Sequence, residues 1–369
     1  MAAGLNACRC RTGGGAGKTL VRNKTLVGEM RDKDHNAIIH VGAAKCGSSS
    51  LQRHLSRNPV FMSRDGIRYA YCVIDSQGRF RGGDEVDRAA RRSPFGYDCC
   101  VNFRVDEAFA ENFLKAAGDC QRMAAQRNRI ILSNEGWSLA APIFAEKDIL
   151  DRMGLRAKVV MFVRPPLDWM HSGWWQWGAW IDRPIENWMR RAIEEVKWDE
   201  HIERWKSVSG VSSVEVRLAT HNVIDQFFDI LNAQVATSRI VNSTLSPDIL
   251  RFLQRNRQFR DAKGAQVDFI LGRWVDFGTG AAPWVLPLEM QREVMETIRP
   301  HNEKLLAMLR PADREEVRND PRWWTEEPYA DREVEPVHAV STVKSADAVI
   351  ASFMEAIVRI DERFRERLD

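Results

Sequence analysis

The stretch His40-Val41-Gly42-Ala43-Ala44-Lys45-Cys46-Gly47-Ser48-Ser49-Ser50-Leu51-Gln52 decides the fold. Upstream of the loop, residues 36–41 form a short apolar run closed by Gly42, the pattern of a buried strand. Downstream, Leu51, His54 and Leu55 recur at helical spacing, which makes Ser48 or Ser49 the expected N-cap of a helix that stops at Asn58-Pro59. Only small residues and one lysine lie between strand and helix. Such a turn can trap an oxyanion, because the first N–H groups of the helix converge on one point and the helix dipole favours negative charge there. Gly47 lets the backbone approach closely, Lys45 adds a full charge, and Ser48, Ser49 and Ser50 add hydroxyl donors. The plainer alternative is a capped helix after a tight turn, with Lys45 merely solvated.

Gly42 and Gly47 have the spacing of a Walker A loop, G-x-x-x-x-G-K-[ST], yet serine stands at 48 where the lysine belongs. The lysine has moved inside the loop. A second near-match, Gly15-Ala16-Gly17-Lys18-Thr19, has Thr12 in place of the first glycine and no strand before it, and reads as chance.

Further along, residues 66–102 are broken by Gly, Arg and Asp and suit loops and short strands. The segment 106–127 carries an apolar stripe at helical period. Apolar runs at 129–133, 157–163 and 214–218 predict three more strands, with a helical segment at 144–153 and a helix at 223–231. Pro165-Pro166 stops the third strand and can open the next helix, since proline suits the first helical turn. Beyond this the periodicity predicts helices at 247–255, 266–277, 286–309 and 346–367, with a long loop at 320–341. Strands alternating with helices imply βαβ crossovers. The expected fold is therefore α/β and three-layered, a central parallel sheet flanked by helices with a largely helical C-terminal part.

Composition sets outer bounds. The 369 residues carry 54 Lys+Arg against 51 Asp+Glu and are 44% hydrophobic, the make-up of a globular chain rather than a disordered or fibrous one. Arg9, Arg11, Lys18, Arg22 and Lys24 precede the first acid, Glu29, so residues 1–34 are expected to be a flexible basic tail, with one domain over 35–369. Past the tail acids slightly outnumber bases, which argues against a nucleic-acid partner. The densest apolar run, 159–163, ends at Arg164, far short of a transmembrane helix. Seven cysteines with no framework spacing fit a reducing, cytoplasmic setting, and neither Cys8-x-Cys10 nor Cys99-Cys100 has the neighbours of a zinc site, so no metal is expected.

Two motifs carry a resemblance. Lys45, Gly47, Ser48, Ser49, Ser50, Leu51 and Gln52 fit K-x-G-[ST]-[ST]-[ST]-L-Q, with Cys46 at the variable position. Val159 to Ser172 reads V-V-M-F-V-R-P-P-L-D-W-M-H-S, a strand delivering Arg164 with Ser172 eight residues later. The chain thus resembles the bacterial branch of the sulfotransferases that use 3′-phosphoadenosine 5′-phosphosulfate (PAPS), over residues 36–260. That resemblance implies a P-loop-like sulfotransferase architecture and PAPS as co-substrate. It implies that Lys45 to Ser50 hold the 5′-phosphosulfate and that Arg164 with Ser172 holds the 3′-phosphate. It also implies a product, adenosine 3′,5′-bisphosphate, and an acceptor hydroxyl or amine, with a carbohydrate or other small metabolite in view.

Sulfuryl transfer leaves the protein mainly positioning and charge stabilisation, for which Lys45 is the candidate, while the acceptor needs a proton acceptor. Glu135 is the candidate base, because it follows the 129–133 strand at the end of the sheet where open α/β folds place their sites. His40, inside a strand, reads as a core histidine, and His54 and His171 are secondary candidates. Trp169, Trp174, Trp175, Trp177 and Trp180 suit either packing or stacking on a sugar. Two other functions fit less of the sequence. A P-loop kinase is disfavoured by the displaced lysine and the lack of a strand-terminal aspartate for Mg²⁺, and a non-catalytic nucleotide-binding module would keep the pocket without the acceptor site.

Overall fold

The computed structural model describes residues 35–103, 106, 108–181, 183–235, 245, 247–260, 266–274, 281–338 and 344–366. The expected basic tail at 1–34 lies outside them. Among the described residues one sheet contains seven strands: β1 (Ala37–His40), β2 (Val60–Met62), β3 (Arg68–Ile74), β4 (Phe80–Gly82), β5 (Asn128–Ser133), β6 (Ala157–Val163) and β7 (Val211–Leu218). Their order is β2-β3-β5-β1-β6-β7, with β4 also on β3. The pairs β3–β5, β5–β1, β1–β6 and β6–β7 are parallel, while β2 and β4 lie antiparallel to β3. The fold is α/β, with a mostly parallel central sheet flanked by helices.

A parallel strand covered on both faces has to be apolar along its whole length. β1 and β6 are buried at every residue and come close to that demand, each with one polar exception, His40 in β1 and Lys158 in β6. From β1 the chain moves to one side to make β3 and β5, then crosses to the other side to make β6 and β7. β1 is therefore the switch point of the sheet, where the carboxyl ends of neighbouring strands diverge and leave a crevice. Three adjacent ends open there: β1 into the Lys45 loop, β5 into Glu135 and β6 into Arg164.

The helices that frame the crevice are α1 (Ser48–Arg57), α2 (Pro166–Gln176) and, from the C-terminal part, α3 (Gln266–Trp274). α2 begins at Pro166 as the sequence predicts. The start of α1 departs from expectation. Neither Ser48 nor Ser49 is the N-cap; that position belongs to Gly47, in the left-handed region at φ 83°, with no side-chain cap. A serine would resist that backbone, and leaving the cap to glycine keeps the first turn uncovered.

Other differences have local causes. The segment 66–102 holds a seven-residue strand, β3, and the helix Asp84–Arg92. The run Tyr69–Ile74 is buried throughout, but its arginine- and glycine-rich flanks mask it in sequence. The helices expected at 106–127 and 144–153 are each broken in two, into Ala108–Leu114 with Ala117–Ala125 and Ala141–Glu146 with Ile149–Arg152. Helices at Ile185–Glu195, Trp198–Lys206 and Pro311–Asn319 add to those predicted. The loop after 319 is pinned by 3₁₀ turns at Pro321–Trp323 and Glu327–Tyr329, the latter stacking Tyr329 on Trp284 with ring centroids 5.2 Å apart. Among the described residues no helix is long and apolar enough to cross a membrane.

One packing feature bears directly on the site. Trp137 is fully buried against Phe103, Phe113 and Phe144, with centroids 5.4, 5.6 and 5.3 Å away. Its indole N–H donates to the Val101 carbonyl at 3.1 Å. Aromatic pairs of this kind contribute about 0.5–1.5 kcal/mol each beyond simple burial. They fix the turn that carries Glu135, two residues upstream.

Candidate active site

The loop after β1 is held in a conformation that its sequence alone would not choose. Lys45 sits in the left-handed region at φ 64°, which costs a non-glycine residue about 1 kcal/mol or more. Three bonds hold it there. Arg164 Nη1 donates to the Lys45 carbonyl at 2.9 Å, Trp169 Nε1 to the Ala44 carbonyl at 2.5 Å, and the Cys46 N–H to the Ala43 carbonyl at 3.1 Å. Gly42 is equally constrained, since a Cβ there would fall 2.4 Å from Ser48 Oγ. Gly47 leaves no room either: its Cβ would meet Val223 Cγ2 at 2.6 Å.

Each predicted loop residue has a distinct place. Lys45 is half-buried and donates from Nζ to Gln176 Oε1 at 3.2 Å. Cys46 turns its side chain into the core, where burial pushes the thiol up to about 12, and its N–H is already engaged, so its contribution is to shape the loop. Ser48 Oγ is buried and has no hydrogen-bond partner among the described residues. A buried orphan hydroxyl at the uncapped start of a helix suits an oxyanion. Ser49 Oγ donates to Tyr97 Oη at 3.4 Å, and Ser50 lies in the first turn of α1, half-buried.

The second motif lies against the first. Arg164, at the end of β6, reaches Ser172 Oγ at 3.4 Å from the same Nη1 that holds the Lys45 carbonyl. Its own carbonyl accepts from Trp198 Nε1 at 3.1 Å, which anchors the arginine from behind.

Glu135 completes the group. It is half-buried, and among the described residues its carboxylate has no hydrogen bond or ion pair. Burial raises its pKa above the ordinary value, and the charge of Lys45 works against that rise. Lys45 responds in the opposite sense: burial lowers its pKa, Glu135 and Asp268 oppose the fall, and Arg164 and Arg260 add to it. The crevice thus gathers Lys45, Arg164 and Arg260 against Glu135 and Asp268, so cations outnumber carboxylates. It can hold an anion, and it offers one uncommitted carboxylate beside one ammonium.

The three histidines considered as candidates all sit against aromatic rings. His40 is fully buried, bonded from Nδ1 to Ser133 Oγ at 2.8 Å, and burial lowers its pKa to about 3. His54 packs edge-on against Phe228, and His171 Nε2 lies 2.9 Å from the Pro283 carbonyl with its ring 4.6 Å from Trp284. The tryptophan cluster is likewise largely core: Trp169, Trp174, Trp175 and Trp180 are buried and Trp177 half-buried.

Four residues at the site carry no motif in the sequence. Gln176 lies four residues after Ser172 and hence on the same helix face, a signal that helical spacing could have given. Tyr97 lies in the glycine- and arginine-rich segment. Arg260 and Asp268 come from the C-terminal part: Arg260, fully buried, pairs with Asp268 from Nε and Nη2, at 3.0 Å to each carboxylate oxygen. Next to Asp268 on α3, Phe269 packs on Tyr97, with centroids 6.0 Å apart.

No protein-family model matches the chain, and no curated protein does. Among solved structures, a sulfotransferase from Alicyclobacillus acidocaldarius aligns with 65% of this chain and 95% of its own, at 15% identity and a TM-score of 0.30.

Proposed function

We propose that the chain is a PAPS-dependent sulfotransferase that moves a sulfuryl group to a hydroxyl or amine acceptor, a carbohydrate or other small metabolite, and releases adenosine 3′,5′-bisphosphate. The observation that carries this reading is the convergence at one switch point, from three adjacent strand ends, of Lys45, Arg164 and Glu135, whose carboxylate has no hydrogen bond or ion pair among the described residues. PAPS is anionic at two ends. The uncapped start of α1, Lys45 and the orphan Ser48 hydroxyl suit the phosphosulfate, and Arg164 with Ser172 suits the 3′-phosphate, where a planar guanidinium can donate twice.

In this reading the acceptor oxygen or nitrogen forms a bond to sulfur while the bond from sulfur to the bridging phosphate oxygen breaks. The acceptor proton passes to the Glu135 carboxylate. The Lys45 ammonium balances the charge that grows on the departing oxygen, work done by positioning and fixed charge rather than by covalent chemistry. The free thiols of Cys46, Cys72, Cys99, Cys100 and Cys120 support a reducing, cytoplasmic setting.

The test is transfer from ³⁵S-labelled PAPS to a panel of sugars, alcohols and amines, read by mass shift. Lys45→Ala is expected to lower the rate by about a hundredfold or more, with circular dichroism unchanged. Wild-type rates in that variant would overturn the role of Lys45. Tight adenosine bisphosphate binding with no transfer to any acceptor would favour the non-catalytic module instead.

A further inference from the structure

Gln176 is the last residue of α2, and two of its atoms are engaged in different directions. Its side-chain Oε1 accepts from Lys45 Nζ at 3.2 Å, and its carbonyl oxygen accepts from Arg260 Nη2 at 2.8 Å. The carbonyl at a helix end has no partner within the helix, and a cation placed there satisfies both its lone pair and the negative end of the dipole. Arg260 is in turn fixed on two sides. Its guanidinium lies 4.4 Å from the ring centre of Trp180, and Asp268 binds it at 3.0 Å through each carboxylate oxygen. Its side chain is 0% exposed.

We propose that Gln176, Arg260 and Asp268 are positioning residues for Lys45: the buried Arg260–Asp268 pair fixes the end of α2, and Gln176, projecting from that end, aims the ammonium at the departing oxygen. The inference rests on the transfer reading for what Lys45 does, but not for how it is held. Lys45 is then fixed at both ends, by Arg164 at its carbonyl and by Gln176 at its ammonium.

The choice of residue types supports this role. A buried ion pair is in itself weak evidence for stability, since apolar side chains of similar size often do as well. Apolar side chains could not cap the Gln176 carbonyl. At 176 itself a neutral amide accepts from the ammonium without neutralising it, whereas a carboxylate would cancel the charge that an anion needs. Of the two carboxylates that act on the ammonium, Asp268 is taken up by Arg260, and Glu135 is the carboxylate that the transfer reading needs as base.

The experiment uses the full chain labelled with ¹³C-lysine. The Lys45 Cε resonance, assigned through Lys45→Arg, is titrated with pH beside steady-state transfer kinetics. Glu135, Asp268, Arg164 and Arg260 all act on that ammonium, so the readout is the difference between variants. In Gln176→Ala, Lys45 is expected to titrate at lower pH than in wild type, and kcat to fall about tenfold with KM unchanged, the worth of one lost hydrogen bond. Gln176→Glu should titrate Lys45 at higher pH and still lose kcat. Arg260→Lys, which keeps the charge but not the fork, should behave like Gln176→Ala. Wild-type titration and kcat in Gln176→Ala would overturn the proposal, as would a loss confined to KM for the acceptor, which would make Gln176 a substrate contact. If the wild-type chain transfers nothing, the transfer reading fails alone, and the resonance still decides whether Gln176 holds Lys45.

Discussion

The guanidinium of Arg164 donates to the carbonyl oxygen of Lys45 at 2.9 Å, joining two segments 119 residues apart. It stabilises a left-handed lysine and brings Ser172 next to the loop. The anion-binding turn is therefore not a self-contained motif, because part of its shape is supplied by the end of β6.

Arg164→Lys should weaken both roles, since an ammonium cannot reach a carbonyl, a hydroxyl and a phosphate in one plane. Thermal stabilisation by adenosine 3′,5′-bisphosphate is expected to correspond to a Kd raised about tenfold or more, the loss of one charge-assisted bond. Equal stabilisation of variant and wild type would remove the 3′-phosphate assignment.

The rate should depend on pH in a bell shape. Glu135 has to be ionised to accept a proton, and burial raises its pKa, so activity rises with pH through a value above the ordinary 4.5. Lys45 has to be protonated, and burial lowers its pKa, so activity falls through a value below the ordinary 10.5. Glu135→Gln should erase the acid limb and, by removing a carboxylate that favours the ammonium, move the alkaline limb to lower pH. A kcat profile of the variant with both limbs in place would rule out Glu135 as the base.

Gly47→Ala should destabilise the protein by about 1–3 kcal/mol, because alanine resists φ 83° and its Cβ would meet Val223 Cγ2 at 2.6 Å. Denaturant midpoints measure the loss. Adding Val223→Ala should recover the steric part and leave the backbone part, and no loss in Gly47→Ala would mean that the turn is not built this way.

His40 should stay neutral through the range where histidines usually titrate. Its pKa falls from 6.5 to about 3 on burial, so between these values the unfolded chain binds a proton that the fold does not. Stability then declines with falling pH by about 1.4 kcal/mol per unit from this group. The ring Cε1 resonance is expected to be flat between about pH 7 and 4. A midpoint near 6.5 would show an imidazole open to water.

The sequence by itself determined the strand, loop and helix around Lys45, the run that becomes β6 and the start of α2 at Pro166, because apolar period, glycine and proline act over a few residues. It also placed Glu135 correctly at the end of a strand. It concealed β3, whose apolar run sits between arginine- and glycine-rich flanks, and it favoured Ser48 or Ser49 as the cap that Gly47 provides. Tertiary structure alone decided which strand ends share the crevice, the left-handed turn at Lys45, and the approach of Gln176, Arg260 and Asp268. The physical reason is range. Those arrangements depend on contacts between residues tens to more than a hundred positions apart, and on burial that changes the charge of a side chain, neither of which leaves a period or a spacing to read.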